Sequence, residues 1–140
     1  MHADSMTAMT EDEFLFVEQG ASLGPVRIVL VDDSADFLEA LYAMLEPFSS
    51  LEIIGTGSSG AEAVDLVMNL HPDLVLMDVN MPEVNGIEAA RTIAHSSPHT
   101  RILLMSSDDS LEMRERCRRS MADGFIAKRV LASRLQRGLA

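Results

Sequence analysis

The sequence predicts an α/β fold: a doubly wound sheet of five parallel strands, in the order 2-1-3-4-5, with five helices on its two faces. Three observations predict it. Five short runs rich in Val, Ile and Leu recur along the 140 residues without regular polar alternation, as expected of strands covered on both faces. Each run is followed by a segment with apolar residues at helical spacing. Pro, Gly and Ser punctuate the joins. Right-handed crossovers turn such a series into a doubly wound sheet, for which 2-1-3-4-5 is a common order.

The elements follow in turn. Val26–Val31 is the first strand. Ser34–Pro47 is a helix with Phe37, Leu38, Leu41, Met44 and Leu45 on one stripe, capped by Ser34 and limited by Pro47. Leu51–Thr56 is the second strand, and Gly57 to Gly60 a turn. Ser59–Leu70 is a helix with Ala61, Val64, Val67 and Met68 expected inward, and Pro72 stops it. Asp73–Met77 is the third strand and ends at a carboxylate, Asp78. Asn85–His95 is the third helix, Arg101–Met105 the fourth strand. Ser110–Met121 is a helix with Leu111, Met113, Cys117 and Met121 near one face. Gly124–Ala127 is the fifth strand and Val130–Leu139 the last helix. Residues 1–25 differ: mostly small or polar, with Thr10 and Glu13 at capping-box spacing, they read as a flexible arm ahead of a domain over 26–140.

Composition narrows the function. The net charge is −11, with no Lys or Arg before Arg27, fourteen acids against three bases over 26–110, and eight bases against three acids beyond. An acidic body argues against nucleic-acid binding, which needs basic surface. A basic stripe in 114–119, joined by Arg134 and Arg137, suits an acidic protein partner. One cysteine, Cys117, precludes an intrachain disulfide. No apolar run reaches the ~18 residues of a membrane span, and the first residues lack the basic start of a secretory signal. A cytoplasmic protein is expected.

In an open parallel sheet, sites form where strands end near the topological switch point. Asp32 and Asp33 follow the first strand and Asp78 the third, so three carboxylates meet at one rim. Left alone they resist joint ionisation. A turn or helix cap explains one of them; a hard cation such as Mg²⁺, which takes oxygen ligands, explains all three. Ser106 and Ser107 end the fourth strand at the same rim, and Lys128 ends the fifth. Pro82 and Gly86 lie four and eight residues beyond Asp78.

The segments LVDDS, LMDVNMPEVNG, LMSS and GFIAKRV, in this order and spacing, resemble the receiver domain of two-component response regulators, a flavodoxin-like fold, over roughly residues 26–138. The resemblance implies that Asp78 accepts a phosphoryl group from a phosphohistidine on a histidine kinase or histidine phosphotransfer protein. Asp33 would be the main Mg²⁺ carboxylate, with Asp78, the Asn80 backbone carbonyl and, partly through water, Asp32. Ser106 would bind a phosphoryl oxygen. Lys128 would pair first with Asp78 and then with the phosphoryl group. Asn80 and Asp108 would tune the lifetime of the acyl phosphate. Ser106 and Phe125 would form the switch that alters the face built from the fourth helix, fifth strand and fifth helix. A downstream protein or a second copy would read that face. Such a domain is no turnover enzyme; it catalyses only its own phosphorylation and dephosphorylation.

Arg129 departs from the family, which usually has proline after the lysine. Either the Lys128–Arg129 peptide is trans and the loop differs, or local structure absorbs a cis bond costing ~2.5–4 kcal/mol. Two other functions compete. A phosphorylation-independent adaptor would have no need of Asp33, Asp78, Ser106 and Lys128 together. A haloacid-dehalogenase-like phosphohydrolase resembles this chain in its Asp nucleophile and Mg²⁺, but here Asn80 stands where it needs a second Asp. Cys117 reads as a small buried hydrophobe. His2, His71, His95 and His99 lack the paired spacing of a zinc site, and Gly57 and Gly60 lack the GK[ST] ending of a phosphate loop. The chain is either a stand-alone receiver or one cut from a longer regulator.

Overall fold

The structure, a computed structural model, describes residues 24–138, and for 134–138 the backbone alone. The arm expected over residues 1–25 lies almost wholly outside the described residues, as do the side chains of Arg134 and Arg137. The chain runs β1 (Val26–Val31), α1 (Ala35–Leu45), β2 (Leu51–Gly57), α2 (Gly60–Leu70), β3 (Leu74–Asp78), α3 (Gly86–Ser96), β4 (Arg101–Ser106), α4 (Leu111–Arg118), β5 (Gly124–Ala127), α5 (Lys128–Gly138). All strand pairings are parallel and the order is β2-β1-β3-β4-β5, as the sequence predicts.

The strand period of two divides the core into two layers. Ile28, Leu30, Leu74, Leu76, Leu103 and Met105 face one side and pack on Leu41, Met44 and Leu45 of α1 and Leu131 of α5. Val29, Val31, Val75, Met77, Ile102 and Leu104 face the other, against Ala63 and Val67 of α2, Ala89, Ala90 and Ile93 of α3, and Met113 and Cys117 of α4. Full burial of one such side chain stabilises by ~1.5–3 kcal/mol. The small alanines let α2 and α3 lie close to the sheet.

Four helices start at the rim where the strands end, and each start is capped by a side chain. Ser34, Ser59, Asn85 and Ser110 accept hydrogen bonds from the backbone N–H groups of Phe37, Glu62, Glu88 and Met113, satisfying donors that a helix start leaves free. Asn85 and Glu88 complete a capping box. The opposite rim is stitched by carboxylates. Asp73 Oδ2 accepts from Arg27 N (2.9 Å) and Asp123 Oδ2 from Ile102 N (2.7 Å). Buried Thr100 donates to the Pro72 carbonyl at 2.9 Å.

Three expectations are corrected. In α2 the buried positions are Gly60, Ala63 and Val67, and Val64 packs partly buried against the same core, so Val64 and Val67 face inward as expected while Ala61 and Met68 are exposed. The helix therefore sits rotated from the expected phase. The fourth helix ends at Arg118, where Ser120 Oγ donates to the Cys117 carbonyl, a local bond that competes with further helix. Met121, beyond the helix end, is exposed, as is Leu111 at its first position, and only Met113 and Cys117 are buried. The last helix starts at Lys128, directly after β5, two residues before the expected Val130.

Candidate functional site

The site lies at the switch point between β1 and β3, where the chain leaves for α1 on one face and α3 on the other. β1 ends at Val31, so the pleat carries Asp32 inward and Asp33 outward: Asp32 is buried and Asp33 exposed. β3 ends on Asp78, which is 3% exposed. One ligand oxygen from each of the three carboxylates lies within 4.8 Å of the others.

Lys128 enters from the start of α5. Its Nζ stands 2.7 Å from Asp32 Oδ2 and 3.3 Å from Asp78 Oδ1. The ammonium also lies 4.4 Å from the centroid of the Phe37 ring, whose face attracts cations. Burial pulls the lysine pKa down, but Asp32 and Asp78 outweigh it and leave Lys128 above its ordinary value. Asp78 is raised as well, which for a carboxylate favours the neutral form. Burial, then the charge of Asp32, push it up to about 6, against the pull of Lys128. The basin thus holds more negative charge than one ammonium offsets.

Those residues fit a hard cation. The donors are all carboxylate oxygens, the set that suits Mg²⁺. Asp32 Oδ1 accepts from Ser34 N at 2.8 Å, and Asp32 Oδ2 is paired with the Lys128 ammonium at 2.7 Å.

A second group lies beside the first. Ser106 ends β4, fully buried, opposite Ala127 of β5. Its Oγ accepts from Asp108 N at 3.0 Å and from Asn80 Nδ2 at 3.4 Å. Both Asn80 and Asp108 are exposed, so Ser106 forms the floor and they form the rim. Asp108 Oδ1 accepts from Ser110 N at 2.9 Å, which holds Asp108 below its ordinary pKa. Phe125 stands apart in the α4-side core, 3% exposed, beneath the Arg114 guanidinium at 5.2 Å from its ring centroid.

The loop after β3 is shaped by glycine. A Cβ on Gly86 would stand 2.3 Å from the Asp78 carbonyl oxygen, and one on Gly60 would stand 2.2 Å from the Val84 carbonyl oxygen. Both helix starts approach backbone too closely for any side chain. Glu83 takes φ of 63° within that loop.

The structure therefore brings Asp32, Asp33, Asp78 and Lys128 into one basin and joins Asn80, Ser106 and Asp108 by hydrogen bonds. No described peptide bond is cis, the Lys128–Arg129 bond included. Sequence reasoning missed Phe37 as the platform beneath Lys128, because its place on the apolar stripe of α1 explained it already. It also missed the nearer pairing of Lys128 with Asp32, which neither residue's place in the sequence announces.

Residues 28–140 match the response regulator receiver domain. The chain belongs to that family and is a receiver domain of the two-component kind. It is 34% identical over 110 residues to the transcriptional regulatory protein DegU of Brevibacillus brevis, covering 79% of this chain and 47% of that protein. It is 44% identical over 73 residues to a protein-glutamate methylesterase/protein-glutamine glutaminase of Methanosarcina acetivorans, covering 52% of this chain and 21% of that one. The chain thus matches half or less of these relatives' length. Among solved structures, the signal receiver domain of NarL from Mycobacterium tuberculosis superposes with a TM-score of 0.75 at 28% identity, over 83% of this chain and 94% of that one. No described helix is long and apolar enough to cross a membrane.

Proposed function

We propose that this receiver domain takes a phosphoryl group onto Asp78 from a phosphohistidine of a histidine kinase or histidine phosphotransfer protein. The observation that carries the reading is the basin itself: a nearly buried carboxylate at a strand end, with an ammonium at 3.3 Å and two further carboxylates beside it. An Asp78 oxygen attacks phosphorus, the O–P bond forms as the N–P bond breaks, and the histidine departs with its electron pair. Lys128 moves from Asp78 to the phosphoryl oxygens and steadies their charge. Asp33, Asp78, the Asn80 carbonyl and Asp32 would hold Mg²⁺, which would offset the repulsion between carboxylate and phosphoryl oxygens. The Ser106 hydroxyl donates to a phosphoryl oxygen. Water later attacks phosphorus and frees Asp78; Asn80 and Asp108 flank that approach and set its rate. With Ser106 drawn inward, Phe125 follows, and the α4-β5-α5 face passes to a second packing that a protein target or a second copy recognises. Domain function of this kind involves no turnover of external substrates and takes place in the cytoplasm.

Incubation with Mg²⁺ and a small phosphodonor, read by intact mass, tests the reading. The expected result is one labile phosphoryl adduct, absent in Asp78→Asn and without Mg²⁺. No adduct with any donor would favour the phosphorylation-independent adaptor.

A further inference from the structure

Asp109 sits midway along the loop between β4 and α4 and is held from two sides. Its Oδ2 accepts from Arg129 Nε at 2.7 Å, and its backbone carbonyl accepts from Arg114 Nε at 3.2 Å. The same Arg114 guanidinium covers the Phe125 ring. Arg129 directly follows Lys128 in the first turn of α5. A continuous line of contacts thus runs from the residue beside Lys128, through Asp109, to the aromatic ring of β5.

We propose that Arg129, Asp109 and Arg114 form a clasp that holds Phe125 in its resting position beneath Arg114, so that the Arg129–Asp109 pair sets how readily the α4-β5-α5 face switches. This rests on the function proposed above and deepens it. The loop that carries Asp109 is tied in series from Ser106 to the start of α4. Asp108 N donates to Ser106 Oγ, Ser110 N to Asp108 Oδ1, and Met113 N to Ser110 Oγ. A displacement of the Ser106 hydroxyl therefore displaces the whole run from Ser106 to the start of α4. Asp109, at its centre, must then release Arg129, Arg114 or both. Release of Arg114 frees the Phe125 ring to turn inward. Proline at position 129, usual in the family, has no side-chain donor and could not make this pair.

The contact is exposed on the Arg129 side, whose side chain is 71% accessible against 34% for Asp109. Pairs of that exposure bias a two-state equilibrium by a few-fold and not by orders of magnitude. The clasp is a trim on the switch, not a lock.

Fluorine NMR of the full chain labelled with para-fluorophenylalanine tests it, with the Phe125 resonance assigned by Phe125→Leu. In protein that carries no phosphoryl group, Arg129→Gln and Asp109→Asn should each raise the population of the second Phe125 environment by about two- to fivefold. Arg129→Lys, which keeps the cation, should recover most of the difference. Glu115→Gln removes an acid of α4 that pairs with Arg118 and Arg119 outside the clasp, and it should change nothing. An unaltered Phe125 signal in both clasp variants, with the circular dichroism of the folded protein, overturns the proposal; so does an equal change in Glu115→Gln. Because the measurement needs no phosphorylation, a chain that never accepts a phosphoryl group can still show the clasp, and one that does accept it can still lack the clasp.

Discussion

Lys128 stands closer to Asp32, at 2.7 Å, than to the proposed phosphoacceptor. Its first duty in the resting protein is to hold a fully buried carboxylate. Lys128→Ala would leave the Asp32 charge without its cation. Removing one partner of an enclosed pair costs ~3–5 kcal/mol; this basin opens to water, so we expect about 2–4 kcal/mol, read as a lower urea midpoint. Added Mg²⁺ should restore part of it. An unchanged midpoint without Mg²⁺ would show that Asp32 does not depend on Lys128.

Asp78 makes stability fall as pH rises. Its folded pKa, about 6, is above the ordinary 3.8, so between those values the folded state binds the proton more tightly than the unfolded chain. The stability this confers is complete below pH 3.8 and is lost as pH climbs through about 6. Asp78→Asn removes the penalty, so metal-free Asp78→Asn should be more stable than the wild type at neutral pH by about 1–3 kcal/mol, with the gap closing in acid. Urea titrations of both proteins across that window check it. Mg²⁺ affinity should decline below pH 6 as Asp78 protonates.

Gly86→Ala separates helix propensity from fit. Alanine in an ordinary helix is favoured over glycine by up to ~1 kcal/mol. Here its Cβ would meet the Asp78 carbonyl at 2.3 Å, and backbone cannot turn aside as a flexible side chain can. We expect a net loss of about 2–4 kcal/mol, seen in thermal unfolding, together with weaker Mg²⁺ binding as the strand end shifts. A stabilised Gly86→Ala would refute the close approach.

Cys117 lies on the buried face of α4, and burial pushes its thiol up to about 11 despite Arg116 and Arg114 nearby. The thiolate is the reactive form. In the native protein at pH 8 a disulfide-exchange reagent should therefore react far more slowly than after unfolding, by at least about a hundredfold. Rapid native labelling would place the thiol at an accessible position.

The strands were legible because a strand covered on both faces must be apolar almost without interruption, and Val26–Val31, Asp73–Met77 and Gly124–Ala127 leave few other readings. The carboxylate basin was legible because strand ends fix where Asp32, Asp33 and Asp78 go. Helix phase was less so: Ala61 and Met68 fit an apolar stripe as well as Ala63 does, and only packing on the sheet decides between them. Side-chain pairing was least legible. Asp32 and Lys128 are far apart in sequence, and their approach depends on the pleat at β1, the direct passage from β5 into α5 and the ring of Phe37 beneath the ammonium. The ties of Asp109 to Arg129 and Arg114 are likewise products of loop geometry.

The stitched rim opposite the site has a practical corollary. There Asp73 and Asp123 anchor neighbouring strands through Arg27 and Ile102, and Thr100 fastens the Pro72 turn. The turns along this seam lie at the end of the sheet away from the basin, so they offer a place to tether the molecule to a sensor chip or to fuse a fluorescent reporter clear of the site.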